Sequence, residues 1–184
     1  MILPVYTYGN PVLRKIAEPI TKGYEGLDQL IKDMYDTMYK SDGVGLAAPQ
    51  IGKSVRLIVI DASALAEDDK TLMGLKKILI NPQMITEEGD EWLFEEGCLS
   101  LPGIREEVKR KPDIRIKYLD ENFEPHDEEY NGIAARVIQH EYDHLQGTMF
   151  VDRLNPLKKR LLKSRLNNII KGKIEVKYKV IFPQ

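Results

Sequence analysis

Two histidines and a glutamate form the most chemically informative pattern in the sequence. His140 and His144 stand four residues apart, and Glu141 follows the first of them. On a helix, this spacing places both imidazoles on one face, one turn apart, where they can bind the same metal ion. Glu141 then lies close enough to act on a metal-bound water. The pattern predicts the metal centre of a hydrolase; the competing interpretation is a helix with two partly exposed histidines and an acid for solubility.

A catalytic metal usually has three protein ligands and one open position, so a third ligand must come from elsewhere in the chain. No histidine follows His144, but Asp152 and Glu175 lie downstream, and Cys98, the single cysteine, lies upstream. A lone cysteine is more often a small buried apolar residue than a ligand. The residues alone therefore leave the third ligand open among these three. The remaining histidine, His126, falls in a predicted hairpin turn and is expected to be exposed and unliganded.

Hydrophobic periodicity predicts the elements that must position these residues. The motif falls in a helix that begins at Gly132 and ends near Gly147. In chain order, the other predicted elements are a helix from Leu27 to about 41–43, a buried strand over 55–60, a polar exposed insertion over 61–77, a short strand over 78–80 ending at a turn at 81–82, a hairpin over 114–118 and 124–130, a helix from 155 to 172, and an edge strand over 174–180. This order predicts an α+β fold: small antiparallel or mixed sheets around the central helix, with an added C-terminal helix and edge strand.

Composition indicates an ordinary globular protein. The 184 residues, 42% hydrophobic and 30% charged, suit one domain spanning 1–184. A formal charge of −2 provides no general field for nucleic acid or anionic lipid. One cysteine excludes an internal disulfide, and neither a secretory signal nor an apolar run of about 18 residues is visible. We therefore expect a soluble, cytoplasmic protein with no nucleic-acid or membrane partner.

Three segments of the chain together resemble the signature motifs of the peptide deformylases. They are Gly-Val-Gly-Leu-Ala-Ala-Pro-Gln at 43–50, Glu-Gly-Cys-Leu-Ser at 96–100 and Gln-His-Glu-Tyr-Asp-His at 139–144. The resemblance covers nearly the whole chain, from 10–14 to 155–158. It implies that Cys98, His140 and His144 bind one divalent metal ion.

The resemblance also implies a reaction. A metal-dependent hydrolase of this family removes the formyl group from the N-terminal formyl-methionine of nascent polypeptides and releases formate. Glu141 would take a proton from the metal-bound water and later deliver it to the leaving amine. By the same resemblance, the side-chain amide of Gln50 and the backbone N–H of Leu99 stabilise the oxyanion.

Substrate-binding residues follow from the same family pattern and from helical spacing. Gly45 and Gly97 are expected to pair with the substrate backbone as a strand would. The residues expected to line the methionine pocket are Val44, Phe94, Ile133 and Val137. Ordinary core packing is the alternative for these four residues.

Charged residues near the motifs carry further expectations. Arg136 stands where many relatives have an apolar residue, so its place at the floor or rim of the pocket is unexpected. Arg110 is expected to pair with Glu96. Arg105 is expected either to contact the substrate or to remain a solvated surface group.

The expected cofactor is one divalent metal ion. A cysteine and two histidines suit Fe²⁺, Zn²⁺, Ni²⁺ or Co²⁺, and members of this family work naturally with Fe²⁺. The expected partners are N-formyl-methionyl nascent peptides, together with transient association with the ribosome. Two other functions stay open: a metallopeptidase that cuts internal bonds, with an acid such as Asp152 as third ligand, and a non-catalytic, metal-stabilised module that docks on the ribosome.

Overall fold

Residues 1–184 form nine β-strands and three α-helices in the computed structural model. In chain order the elements are β1 (Val5–Tyr6), α1 (Leu27–Lys40), β2 (Gly45–Ala47), β3 (Leu57–Asp61), β4 (Lys76–Glu88), β5 (Trp92–Gly97), β6 (Arg105–Arg110), β7 (Asp113–Leu119), β8 (Pro125–Asn131), α2 (Gly132–Leu145), α3 (Pro156–Ile170) and β9 (Val180–Ile181). The main sheet is antiparallel, in the order β2-β3-β4-β7-β8, beside a β5-β6 hairpin and a parallel β1-β9 pair. The predicted α+β fold and the predicted β7-β8 hairpin are confirmed.

Two helices pack on opposite faces of the main sheet because successive side chains of a strand point to opposite sides. Ile58 and Ile60 of β3 belong to the buried cluster that holds the apolar residues of α2. Leu57 and Val59 belong to the cluster that holds the apolar residues of α1. Each such buried side chain contributes about 1.5–3 kcal/mol to stability. Neither these helices nor α3 is long and apolar enough to span a bilayer.

The central helix α2 begins and ends close to its predicted bounds. Its last helical residue is Leu145, and Gly147 follows in the left-handed region with φ 69°. A Cβ atom at position 147 would lie 2.6 Å from the carbonyl oxygen of Arg14. Glycine is therefore required at this position for two reasons: the backbone has a positive φ, and the N-terminal loop lies too close for a Cβ atom.

The predicted turn at Asn81 and Pro82 is wrong, because β4 continues through it for 13 residues. The strand carries an irregularity between Ile80 and Gln83, where Asn81 has φ 51°. The side-chain amide of Asn81 accepts from the N–H of Ile20 at 2.7 Å and donates to its carbonyl at 2.8 Å. These two bonds fix the bulge, so the strand bends and continues where the sequence indicates a stop.

The predicted exposed insertion and edge strand also need correction. Residues 61–77 contain two short 3-10 turns, and Leu72 in the second is fully buried in the core that surrounds α2. The tail forms a strand only at Val180–Ile181, which pairs with β1 and not with the main sheet. The helix before it is as predicted: Pro156 is its first residue, and the side chain of Asn155 accepts from the N–H of Lys158 at 2.9 Å.

Candidate active site

Three side chains of types that can bind a metal ion converge at the buried face of α2. The ligand atoms of Cys98, His140 and His144 all lie within 4.8 Å of one another. The Sγ of Cys98 lies 3.3 Å from the Nε2 of His144. Helix α2 supplies the two histidines, and the cysteine follows the last residue of β5. Neither downstream acid joins them: Asp152 pairs with Arg14, and Glu175 is exposed.

The donor set fits a tetrahedral divalent metal ion. Bond lengths of about 2.3 Å to sulfur and about 2.1 Å to nitrogen, at a tetrahedral angle, place the two atoms roughly 3.6 Å apart. The observed separation of 3.3 Å for Cys98 and His144 is close to this value. The Nδ1 of His140 donates to Oε2 of Glu96 at 2.8 Å, which leaves its Nε2 free for the ion. Two further polar atoms are buried without a hydrogen-bond partner, Nδ1 of His144 and Oε2 of Glu141.

Burial shifts the pKa values of two helix side chains, His144 and Glu141. It lowers the pKa of His144 to about 3, so this imidazole is neutral at pH 7, as a ligand must be. It raises the pKa of Glu141 to about 7, which is close to the value that suits a group that both takes and returns a proton. Burial alone would also raise the pKa of Glu96, but hydrogen bonds from His140 and Arg110 hold it below its usual range.

A buried ion-pair network supports the first histidine. The carboxylate of Glu96 accepts from Arg110 at 2.7 and 3.0 Å and from Nη1 of Arg136 at 3.0 Å. Arg110 also donates to Asp143 at 2.8 Å, and the guanidinium of Arg153 donates twice to the same carboxylate at 2.6 Å. Because Asp143 belongs to α2, the network ties the metal-binding helix to the β5-β6 hairpin. The expected Glu96–Arg110 pair is present. It also contacts Arg136 and Asp143, which the sequence did not indicate.

The first segment, 43–50, approaches α2 so closely that only glycine fits at one position. A Cβ atom at Gly45 would lie 2.6 Å from Oε1 of Glu141. Gly45 is also on the free edge of the sheet, since β2 is the terminal strand. The N–H of Asp61 bonds to the carbonyl of Val44, so the alternation of an antiparallel ladder turns the N–H and C=O of Gly45 away from β3.

Two hydrogen-bond donors lie beside the cluster. The Oε1 of Gln50 accepts from the N–H of Ala47 at 2.8 Å, which turns its Nε2 toward Ser100 Oγ at 3.3 Å and Cys98 Sγ at 3.5 Å. The backbone N–H of Leu99 donates to no other group of the protein. The N–H of Leu99 is therefore free to bind a substrate oxygen, and the amide of Gln50 can exchange one of its two long contacts for such a bond.

A cavity of about 460 Å³ opens onto this cluster. Of the site residues predicted from the sequence, those that line it are Val44, Gly45, Gln50, Phe94, Gly97, Cys98, Leu99, Ile133, Val137, His140 and Glu141. His144 lies behind the wall, where it is 1% exposed. The alternative of core packing fits Val137 best, since it is buried in the cluster around α2 as well as lining the cavity.

Arg136 and Arg105 also line the cavity. The guanidinium of Arg136 is buried, donates to the carbonyls of Val108 and Trp92 at 2.8 and 2.9 Å, and lies over the Trp92 ring at 4.6 Å. The charge of Arg136 is thus paired inside the protein, and the aliphatic part of its side chain can form part of the cavity wall. Arg105 is exposed and pairs with Glu95 at 3.2 Å.

The structure corrects the expectation for His126 and adds two residues to the site. His126 lies within β8, only one third exposed, with Nε2 2.8 Å from Asp120 and its ring stacked on Tyr118. Ser100, the partner of Gln50, and Tyr178, from the C-terminal tail, belong to the site but were missed. Only the alternation of apolar residues in the tail could have indicated that Tyr178 faces inward.

Comparisons with known proteins give one consistent result. A family model described as polypeptide deformylase matches residues 2–160. The peptide deformylase of Christiangramia forsetii is 57% identical over 190 residues, covering 100% of this chain and 97% of that protein, and that of Flavobacterium psychrophilum is 51% identical, covering 98% and 96%. The crystal structure of a peptide deformylase from Legionella pneumophila superposes with a TM-score of 0.81 at 40% identity, covering 94% of this chain and 98% of that one.

Proposed function

The chain belongs to the polypeptide deformylase family, a family of metal-dependent hydrolases that remove the formyl group from nascent polypeptides, and we propose that Cys98, His140 and His144 hold its metal. The observation that carries this assignment is the convergence of the three ligand atoms within 4.8 Å, beside the cavity and the buried Glu141. Family membership favours this function over a metallopeptidase that cuts internal bonds and over a non-catalytic module.

In the proposed mechanism Glu141 moves the proton. The metal, when bound, acts as a Lewis acid and lowers the pKa of a water molecule toward about 7. Glu141 takes a proton from the attacking water and delivers it to the amine that leaves, so one side chain serves as base and then as acid. Its pKa of about 7 allows both protonation states at neutral pH. Gly45 leaves the space in which this carboxylate stands.

The negative charge that develops on the formyl oxygen requires donors. We assign this role to the Nε2 of Gln50, whose contacts with Ser100 and Cys98 are long at 3.3 and 3.5 Å, and to the N–H of Leu99, which has no protein partner. Donors fixed before the reaction stabilise the transition state without reorganisation, and the loss of one typically costs 10²–10³ in rate.

The substrate chain is proposed to bind as an extra strand. On one side, the substrate backbone would pair with the outward N–H and C=O of Gly45. On the other side, it would pair with Gly97 at the end of β5. Val44, Phe94, Ile133 and Val137 then surround its methionine side chain at the inner end of the cavity.

The decisive experiment is a formate assay with a formyl-methionyl peptide. The purified protein should release formate, and Glu141→Ala should keep its metal but lose turnover by about 10²–10⁴-fold. Glu129→Ala, the same change at an exposed position on β8, is the matched control. A metal-loaded wild-type protein that leaves the formyl group intact would overturn the proposed function.

The proposed metal is Fe²⁺, with Zn²⁺, Ni²⁺ and Co²⁺ as ions that the same ligands accommodate. The mixed thiolate and imidazole ligands support this group of four ions and disfavour Mg²⁺ and Ca²⁺. Thiolate ligation also makes a centre of this kind sensitive to oxidation. Elemental analysis of protein purified without oxygen tests the metal, and equal activity of aerobic and anaerobic preparations over time would contradict iron.

We further propose that the protein works in the cytoplasm and associates transiently with the ribosome through α3. This helix has five basic residues and no acidic one. Lys159, Arg160 and Lys163 are exposed and pair with no carboxylate, so they can meet phosphate groups even though the whole chain is slightly acidic. Replacing these three by glutamate should abolish salt-sensitive co-sedimentation with ribosomes and leave activity on a free peptide unchanged.

A further inference from the structure

The C-terminal tail, residues 171–184, contributes one side chain to the active-site cavity. The tail lies beyond residues 2–160, the part that the deformylase family model matches. Tyr178 nevertheless lines the cavity, and its hydroxyl donates to the carbonyl oxygen of Leu99 at 2.7 Å. This contact joins a segment outside the residues that the family model matches to the loop that follows Cys98.

That loop is a β-turn, and Tyr178 binds the carbonyl of its central peptide. The N–H of Leu101 donates to the carbonyl of Cys98 at 2.9 Å, so Leu99 and Ser100 occupy the two middle positions. The common turn types differ mainly by a rotation of the peptide between these positions, which reverses the direction of its carbonyl. Here that carbonyl belongs to Leu99. A rotation would therefore break the bond to Tyr178 and displace the hydroxyl of Ser100, against which the amide of Gln50 rests.

The tail is held firmly enough to oppose this rotation. The residue after Tyr178, Lys179, accepts from the N–H of Val5 at 2.9 Å. Two positions further, the carbonyl of Ile181 accepts from the N–H of Thr7 at 3.0 Å and from the side chain of Asn10 at 2.9 Å. From the same N-terminal segment, the N–H of Tyr8 donates to the carbonyl of Ser100 at 2.8 Å. Both carbonyls in the middle of the turn are thus bound by the paired β1 and β9 segments.

We propose that Tyr178 is a positioning residue: its hydroxyl holds the carbonyl of Leu99 and so keeps Ser100 in the position where its side chain supports the amide of Gln50, beside the N–H of Leu99. The inference rests on the proposed function, which assigns those two donors. Tyr178 touches neither the reacting carbon nor the metal ligand atoms through a hydrogen bond. Its contribution therefore concerns the transition state more than the binding of the peptide.

The test is Tyr178→Phe, which removes the hydroxyl and keeps the ring. We expect kcat for a formyl-methionyl peptide to fall about three- to tenfold, the effect of one hydrogen bond, with KM within twofold of wild type. Inhibition by the deformylated product peptide should be unchanged, because the product needs no oxyanion donors. Amide hydrogen exchange in the 98–101 segment should be faster, whereas the absorption spectrum of the Co²⁺-loaded protein should stay the same. Tyr24→Phe, whose hydroxyl has no protein partner, is the matched control.

Two results would overturn the proposal. One is a Tyr178→Phe protein with wild-type kcat and wild-type amide hydrogen exchange. This holds even if Tyr178→Ala lowers activity, because the ring and not the hydroxyl would then be responsible. The other is an increase in KM with unchanged kcat, which would make Tyr178 a binding residue. Failure of the donor assignment is seen separately: Gln50→Leu would then keep wild-type kcat, while hydrogen exchange would still report on the turn.

Discussion

Replacing Glu96 by glutamine tests the buried network that supports His140. The carboxylate is 5% exposed and accepts four hydrogen bonds, two on each oxygen. Oε1 faces Arg110 and Arg136, and Oε2 faces Arg110 and His140. An amide has only one accepting oxygen, so whichever side carries the NH₂ group loses two bonds and confronts two N–H donors. The variant also leaves Asp143 as the only acid among three arginines.

The expected cost follows from these contacts. Two lost hydrogen bonds to charged groups amount to about 3–6 kcal/mol. Removing one partner of a buried ion pair typically costs about 3–5 kcal/mol. The two figures agree, so Glu96→Gln should lower the free energy of unfolding by about 3–5 kcal/mol. The loss of its acceptor should also weaken metal binding by His140, by about 10–100-fold.

Urea unfolding of the metal-free protein measures the change in the free energy of unfolding separately from the change in metal affinity. Trp92, the single tryptophan, lies over Arg136 and reports on the network by its fluorescence. With a urea m-value of about 2 kcal/mol/M, the midpoint should fall by roughly 2 M. Glu95→Gln is the matched control: it is the neighbouring residue, its side chain is 58% exposed, and its pair with Arg105 contributes less than about 1 kcal/mol. Equal midpoints for the two variants would refute the argument that the network stabilises the fold.

Three further predictions concern other parts of the site. Gly45→Ala should lower kcat by about 10²-fold, because its methyl group would displace Glu141, and circular dichroism should show an intact fold; wild-type kcat would contradict the close approach. Cys98→Ser should release most of the metal at elemental analysis, and full retention would mean that another residue is the third ligand. Stability should fall in acid: the pKa values of Glu96 and Asp143 lie below their unfolded values of about 4, so their contribution is complete above about pH 5 and is lost progressively as the pH falls below about 4 toward the pKa values of the folded state. The free energies of unfolding measured with urea at pH 6 and pH 3 should differ by about 2–3 kcal/mol, and by less in Glu96→Gln.

The helices and the metal-binding motif could be predicted because their signals are local. The bounds of α2 follow from apolar spacing and two glycines, and the same helix fixes the distance between His140 and His144. The family resemblance added Cys98, which the residues alone left as one of three candidates. The structure brings it to the two histidines from a different element, 42 residues away from His140 in sequence.

What could not be predicted depends on partners distant in sequence. The long β4 is stabilised by pairing with β7, and Asn81 bends it only because Ile20 is there to bind its side chain. Arg136 of α2 can be buried because Glu96, from strand β5, neutralises it. A single-sequence pattern contains neither partner. For the tail, the alternation of apolar residues could have indicated that Tyr178 faces inward, but not that the tail pairs with β1.

The shortness of β2 also limits what its open edge can pair with. An open sheet edge with free N–H and C=O groups can template pairing with another copy, which is the first step of many aggregates. In β2 the strand has only three residues, Leu46 and Ala47 have no exposed surface, and Pro49 interrupts the chain directly afterwards. Only the Gly45 end faces the cavity. The edge is therefore long enough to hold the first residues of a peptide and too short to add a strand from a folded neighbour.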